Sequence, residues 1–113
     1  MQQVDFACLV EHEGSTLTVR VTGEFDLVGV GPVEAALDPL PAGVDRVVMD
    51  LSGLTFLDAS GLGTVIRAAD RADAGEFELL VVRPRGAVNR VFTITRTERR
   101  LTMLDSAPAT NSV

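Results

Sequence analysis

The segment VVMDL at residues 47–51 constrains the fold more than any other, because only Asp50 interrupts its apolar run. A nearly continuous apolar run of this length is typical of a strand buried on both faces, as in a parallel sheet covered by helices. A second apolar strand is predicted from about residue 77 to residue 82. Between the two strands, apolar side chains recur at helical spacing at Leu62, Val65, Ile66 and Ala69. A strand, a helix and a strand in this order predict one βαβ unit with a right-handed crossover.

The chain before this unit is predicted to form a β-hairpin followed by a short helix. Apolar and polar residues alternate over residues 4–11 and 17–22, and EHEGS between them supplies the glycine and the polar groups of a turn. The apolar, glycine-rich LVGVGP is predicted to be a loop, with Pro32 in the first turn of a helix that Pro39 ends. The stretch SGLTFLDAS is predicted to connect the buried strand to the next helix.

The chain after the βαβ unit adds three short elements. AVNRVFTI predicts a short amphipathic helix, TRTERR a polar connector and LTML a last edge strand. Together the elements predict the α/β class, with a mixed sheet of about four to five strands and helices packed on it. The length of 113 residues suits a single domain, which we place at residues 1–105, followed by a flexible C-terminal tail at residues 106–113.

Composition excludes several classes of partner and compartment. The formal net charge of −6 argues against nucleic-acid binding and against docking on anionic membranes, since both depend on excess Lys and Arg. Neither a basic, apolar signal peptide nor an apolar run long enough to span a bilayer is found, which argues against membrane insertion. The single cysteine, Cys8, cannot form an internal disulfide and is predicted to be a small buried apolar residue. We therefore expect a cytoplasmic location.

The reactive side chains are too few for most enzyme mechanisms. His12 is the only histidine, and it lies in the predicted hairpin turn. The serine elbow of hydrolases has the pattern G-x-S-x-G, whereas LDASGLG carries Asp58 in place of the first glycine. One Cys and one His cannot assemble a zinc site, and the glycines match neither a dinucleotide fingerprint nor a P-loop. We expect no enzymatic activity, no metal and no cofactor.

The tetrapeptide DASG at residues 58–61 lies where a predicted strand gives way to a predicted helix. Three roles for it remain open on the residues alone. Ser60 or Asp58 caps the helix by accepting a hydrogen bond from a free backbone N–H. An anion binds the helix N-terminus, or the Ser60 hydroxyl receives a phosphate that the helix end stabilises.

The stretch VVMDLSGLTFLDASGLGTVIRAADRA resembles the core motif of STAS domains, specifically of single-domain anti-sigma factor antagonists of the sporulation and stress type. VTGEFD at residues 21–26 resembles the G-E-L/F-D element of that family. PRGAVNRVFTIT, which begins at Pro84, resembles its P-x-x-x-V-x-R-x-F-x-x-T segment. The match runs from about residue 5 to residue 104 and implies a STAS-like mixed sheet. The family also has a C-terminal helix, for which LTMLDSAPATNSV is short.

The resemblance implies an anti-anti-sigma factor that is a substrate and a binding surface. The unphosphorylated form binds an anti-sigma factor serine kinase and frees a sigma factor. Phosphorylation of Ser60 by that kinase ends the binding, and a phosphatase restores it. Motif positions and the helix projection place six residues on an exposed partner-binding rim, namely Asp26, Asp58, Ser60, Gly61, Thr64 and Arg67.

Two other functions remain open. The chain could be a STAS subunit of another assembly, either a stressosome-type scaffold or the partner of an ABC lipid-transporter ATPase. Direct nucleotide binding rests only on a glycine-flanked helix N-terminus.

Overall fold

The computed structural model describes residues 5–108. A 3-10 turn at Thr97–Arg100 precedes the last strand. The helices and strands are, in chain order, β1 (Phe6–Glu13), β2 (Thr16–Phe25), α1 (Leu27–Leu37), β3 (Arg46–Leu57), α2 (Ala59–Asp73), β4 (Glu78–Val82), α3 (Gly86–Ile94) and β5 (Thr102–Leu104).

The five strands form one mixed sheet in the order β1-β2-β3-β4-β5. β1 and β2 are antiparallel, as a hairpin requires, and the pairs β2–β3, β3–β4 and β4–β5 are parallel. Each parallel pair needs a crossover, and α1, α2 and α3 supply them. The predicted fold class, the βαβ unit and the last edge strand are therefore confirmed.

The helices share one core with one face of the sheet. Alternate strand residues such as Val19, Met49 and Val81 are fully buried and pack with Val65 of α2 and Phe92 of α3. Successive strand residues point to opposite faces, so their neighbours lie on the other side of the sheet. The core is thus a two-layer arrangement of helices on a sheet, and its aliphatic residues explain why the chain needs neither Trp nor Tyr.

Cys8 of β1 packs against the edge of this core and is half-buried, and its burial raises the pKa of its thiol. The side chain thus behaves as the small apolar residue that the alternation of β1 predicts.

The other face of the sheet carries a polar cluster centred on Asp50, which is 5% exposed. Its carboxylate accepts hydrogen bonds from the Ser52 hydroxyl at 2.7 Å, the Ser52 N–H at 3.0 Å and Arg20 at 3.3 Å. Burial works to raise the pKa of Asp50, but the bonds from Ser52 and Arg20 outweigh it and hold that pKa below its usual value. A carboxyl with a lowered pKa stabilises the fold above its ordinary pKa. That contribution is lost as the pH falls through the folded-state pKa.

β3 is twelve residues long and extends well past its partner β4. It pairs with β4 only as far as Asp50, but with β2 as far as Leu57. The prediction that residues 52–60 form a connection is therefore wrong. Two register shifts between β2 and β3 bury Leu54 and Leu57, three residues apart, so the sequence shows no alternation there.

α1 begins at Leu27, so the prediction of a loop over LVGVGP is wrong. Asp26 caps the helix by accepting a hydrogen bond from the Val28 N–H at 3.0 Å. Gly29 allows the helix to approach β1 closely, since a Cβ there would lie 2.5 Å from the Phe6 ring. Pro32 lies in the second turn and not in the first, and the helix continues through it because Val33 packs into the core.

The C-terminal part agrees with the sequence more closely. The predicted amphipathic helix is α3, and LTML supplies β5. No helix follows β5 within the described residues, which end at Pro108. The prediction of a flexible tail stays a prediction, because residues 109–113 lie outside the described residues.

Candidate functional site

The C-terminal ends of β2 and β3 bring two separate sequence motifs side by side. Phe25 and Leu57 are paired in parallel register, so Asp26 and Asp58 follow them at adjacent positions on one edge of the sheet. The Asp58 N–H donates a hydrogen bond to the Phe25 carbonyl at 3.3 Å, which continues the pairing past the strand ends. The aspartates of GEFD and FLDASG therefore meet at this edge.

Each of these aspartates caps the helix that follows it. Asp58 accepts a hydrogen bond from the Gly61 N–H at 3.0 Å, as Asp26 does from the Val28 N–H. A cap of this type contributes about 1 kcal/mol to helix stability. Asp58, and not Ser60, therefore caps α2. Two helices begin next to each other, each with its positive dipole end at the same edge of the sheet.

Ser60 is the second residue of α2 and is half-buried. Its hydroxyl makes no hydrogen bond to any group within residues 5–108. Because Asp58 already serves as the cap, the hydroxyl is not needed to complete the helix end. A group attached to it would lie in the first turn of a 15-residue helix, where free backbone N–H groups stabilise negative charge.

Gly61 fixes the height of this turn above the sheet. A Cβ at this position would lie 2.6 Å from the Phe25 carbonyl oxygen and 2.7 Å from Leu57 Cδ1. Both partners are buried in the core and cannot easily withdraw. Only glycine therefore lets the start of α2 rest directly on the end of β2.

A chain of hydrogen bonds links the Ser60 turn to α1. The Ser60 carbonyl accepts from the Thr64 hydroxyl at 3.1 Å, and that hydroxyl accepts from Arg67 at 3.2 Å. Arg67 in turn forms an ion pair with Glu34 of α1 at 2.8 Å. The turn that carries Ser60 is thus tied to the neighbouring helix through side chains of its own helix.

Two of the six predicted rim residues are not exposed. Thr64 is 2% exposed, and Gly61 is buried. Helical spacing places Thr64 near Ser60 and Arg67, but the packing of the fold buries it. The prediction of an exposed rim is therefore wrong for Thr64 and Gly61, which act from below the surface. Asp26 and Ser60 are half-buried, and Arg67 is exposed.

Sequence reasoning missed three apolar side chains beside this edge. Leu27 and Val28 in the first turn of α1 are 72% and 75% exposed, and Phe56 near the end of β3 is 48% exposed. All three lie within two residues of Asp26 or Asp58. Large apolar side chains held in solvent next to a site are typical of a protein-binding surface. The apolar sequence of LVGVGP was the available signal, although it was assigned to a loop.

Other chemistry at Ser60 finds little support in the geometry. His12 lies at the opposite end of the sheet, one full length of β2 away, or roughly 30 Å. It contacts the Gly14 carbonyl at 3.0 Å. A relay between Ser60 and His12 is therefore excluded.

Over residues 5–108, no three Cys, His, Asp or Glu side chains lie close enough to hold a metal ion. No helix in this part of the chain has the length and apolar character to cross a bilayer.

Comparison with family models gives a match over residues 8–105 to a family described as "Mlab, STAS domain". The match covers most of the chain and includes both capping aspartates and Ser60. The chain belongs to the STAS-domain family. A STAS-domain containing protein of Pseudomonas aeruginosa (strain UCBPP-PA14) is 25% identical over 91 residues, covering 80% of this chain and 90% of that protein.

Solved structures confirm that the fold is the STAS fold. An anti-sigma factor antagonist from Mycobacterium paratuberculosis superposes with a TM-score of 0.78 at 24% identity, over 93% of this chain and 90% of that one. The anti-sigma factor antagonist SpoIIAA, in its unphosphorylated form, gives a TM-score of 0.70 at 22% identity, over 89% and 90%. At these identities the likeness establishes the fold, and the role of this STAS domain has to be argued from its site.

Proposed function

We propose that this STAS domain is an anti-anti-sigma factor, an antagonist of an anti-sigma factor serine kinase, switched by phosphorylation of Ser60. One observation carries the proposal: the Ser60 hydroxyl has no hydrogen-bond partner within the described residues and stands at a helix N-terminus that Asp58 already caps. A hydroxyl with no structural task can accept a phosphate without loss of a cap. The fold should therefore tolerate the modification.

The switch follows from the surroundings of Ser60. The unphosphorylated form presents Leu27, Val28 and Phe56, whose apolar side chains would be desolvated against the kinase. A phosphate adds nearly two negative charges beside Asp26 and Asp58. The backbone N–H groups of α2 stabilise this charge in the free protein, but a packed interface would have to desolvate it. Phosphorylation therefore weakens binding more than it weakens the fold, and the sigma factor is again inhibited.

The remaining predicted residues have distinct roles in this proposal. Asp26 and Asp58 each cap the start of one helix and set the local negative potential. Gly61 and Thr64 position the turn from inside, and Arg67 is the exposed side chain available to a partner. The likeness to SpoIIAA, an anti-sigma factor antagonist whose structure is that of its unphosphorylated form, also supports a switch by phosphorylation.

Incubation of the chain with its cognate kinase and ATP, followed by intact-mass measurement, tests the assignment of Ser60. We expect one phosphate on the wild type and on Ser106→Ala, a control at an exposed serine outside the site. Ser60→Ala should acquire none. Persistent phosphorylation of Ser60→Ala would refute the assignment.

Binding measurements test the switch separately. Ser60→Asp should unfold at the same urea concentration as the wild type but bind the kinase more weakly by calorimetry. If Ser60→Asp bound the kinase as tightly as the wild type, negative charge at this position would not weaken the complex, and the proposed switch would be refuted. A stable complex with a transporter ATPase, or a large homo-oligomer, would instead favour a STAS subunit of another assembly.

A further inference from the structure

The charges of this chain are divided very unevenly along the sequence. Residues 83–100 contain six arginines and one glutamate, which gives a formal charge of +5. The other residues contain four arginines and fifteen Asp or Glu, which gives −11. The positive portion comprises α3 and the 3-10 turn that follows it.

Ion pairing divides the ten arginines in the same way. Within residues 5–108, six of them form salt bridges, including Arg83 with Glu98 and Asp105 and Arg100 with Asp70 and Asp73. The other four make no ion pair or side-chain hydrogen bond in this part of the chain. They are all exposed and all belong to the positive portion, at Arg85, Arg90, Arg96 and Arg99. Although the chain has an excess of carboxylates, these four guanidinium groups have no ion-pair partner in the described residues. They are therefore available to bind acidic groups of another molecule.

An exposed apolar side chain belongs to the same segment of the chain as these arginines. α3 buries Val88 and Phe92 against the sheet and turns Arg90 and Ile94, one helical turn apart, to solvent. Ile94 is 75% exposed. We call Arg85, Arg90, Ile94, Arg96 and Arg99 the basic segment. It combines cationic donors with an apolar contact, whereas the edge around Ser60 combines carboxylates with apolar side chains.

We propose that the basic segment docks an acidic stretch of a protein partner, as a second binding surface that shares no residue with the Ser60 edge. Charge complementarity identifies the partner, since guanidinium groups bind carboxylates through paired hydrogen bonds and Ile94 offers a contact for an apolar residue within the stretch. Nucleic acids and anionic bilayers are larger than this nine-residue helix, so they would also approach the rest of the chain. The charge of −11 on the rest of the chain would repel them. A short acidic peptide can engage the basic segment alone.

Fluorescence anisotropy with a fluorescein-labelled oligoglutamate peptide tests the proposal. We expect binding at low ionic strength that weakens as salt is added. Arg90→Gln combined with Arg99→Gln should lower the affinity about tenfold, which corresponds to two exposed ion pairs of the usual strength. Ala35→Glu combined with Ala74→Glu changes the net charge by the same amount at exposed positions outside the segment, and should lower the affinity much less.

The same assay separates the proposal from its alternatives. Ser60→Ala should bind the peptide like the wild type, because Ser60 does not belong to the basic segment and carries no charge. Absence of peptide binding, or equal losses in the two double variants, would overturn the proposal. Tighter binding to phosphatidylglycerol vesicles or to oligothymidine than to oligoglutamate would also overturn it and assign the segment to a membrane or to nucleic acid. Circular dichroism of each variant shows whether it is folded.

Discussion

Gly61 and Gly63, two residues apart in α2, should respond in opposite directions to the same substitution. Replacement of a helical glycine by alanine normally stabilises a protein, by about 1 kcal/mol. At Gly63 the added methyl group would meet only Arg67 Nη1 at 3.3 Å, the end of a flexible side chain. At Gly61 it would meet the Phe25 carbonyl oxygen at 2.6 Å and Leu57 Cδ1 at 2.7 Å. The two sites therefore differ in packing and hardly in helix propensity.

The packing difference sets the expected size of the effect. A carbon normally approaches a carbonyl oxygen no closer than about 3.3 Å, so the start of α2 would have to rise by more than about half an ångström. Phe25 is fully buried and cannot move aside, and overpacking of this kind costs about 1–3 kcal/mol. We expect Gly63→Ala to be more stable than the wild type by up to about 1 kcal/mol. Gly61→Ala should be less stable by up to about 2 kcal/mol, after the gain in helix propensity of about 1 kcal/mol is subtracted from the cost of overpacking.

Urea denaturation followed by circular dichroism measures both changes, because the chain has neither Trp nor Tyr for fluorescence. The variants should differ by the cost of overpacking, about 1–3 kcal/mol, which corresponds to roughly 0.5–2 M in the urea midpoint. If Gly61→Ala unfolded at or above the midpoint of Gly63→Ala, the close contact between α2 and β2 would not limit this position. The positioning role of Gly61 would then have to be abandoned.

Three further substitutions probe the caps and the buried polar groups. Asp58→Ala should lower the free energy of unfolding by about 1 kcal/mol while Asp58→Asn nearly preserves it, because asparagine caps helices as well as aspartate does. If urea denaturation gave equal losses of stability for Asp58→Ala and Asp58→Asn, the helix cap would not explain the contribution of Asp58. The pKa of Asp50 is lowered in the folded state, so the wild type should lose stability as the pH falls below about 4. Asp50→Asn should be less stable than the wild type at neutral pH. On acidification it should lose less of its free energy of unfolding than the wild type does. Urea midpoints at neutral and acidic pH test this, and parallel pH profiles would contradict it. Thr64→Val removes two hydrogen bonds and should cost about 1 kcal/mol in thermal or urea unfolding, whereas Thr55→Val, at an exposed strand position, should be nearly neutral.

The central βαβ unit was predictable because its signals are local and strong. The nearly continuous apolar run at residues 47–51 predicts a buried strand, the helical stripe from Leu62 to Ala69 predicts a helix, and they correspond to β3 and α2. The short apolar LTML predicts the edge strand β5. Where the hydrophobic pattern is clear, the sequence predicts the element and its type.

The errors arose where tertiary contacts outweighed local preference. α1 contains two glycines and a proline, which argue against a helix, but a close contact with Phe6 and the Asp26 cap hold its first turn in place. The register shifts between β2 and β3 removed the alternation from the second half of β3. A helical projection places Thr64 on the side of Ser60 and Arg67, but it does not show which residues on that side the fold buries.

Of the candidate site, the structure confirms that Asp26 and Asp58 lie at adjacent strand ends, and the roles of the six residues stay predictions. Motif resemblance paired Asp26 with Asp58 and chose Ser60, and the parallel register of β2 and β3 gives the two aspartates their physical relation. The three exposed apolar side chains beside them were missed. Exposure of an apolar residue depends on the whole fold, so the apolar sequence of LVGVGP does not by itself show which of its side chains are exposed.

The turn below Ser60 is held by the main chain of β2, through the contact of Gly61 with the Phe25 carbonyl and the hydrogen bond from the Asp58 N–H. Main-chain atoms are the same whatever the side chain, so most outward-facing residues nearby can change without moving the serine. If Ser60 is phosphorylated as proposed, a duplicated copy of this gene would change its partner through substitutions at Leu27, Val28 or Phe56 while the serine kept its position. The choice of partner and the proposed means of regulation would then evolve separately.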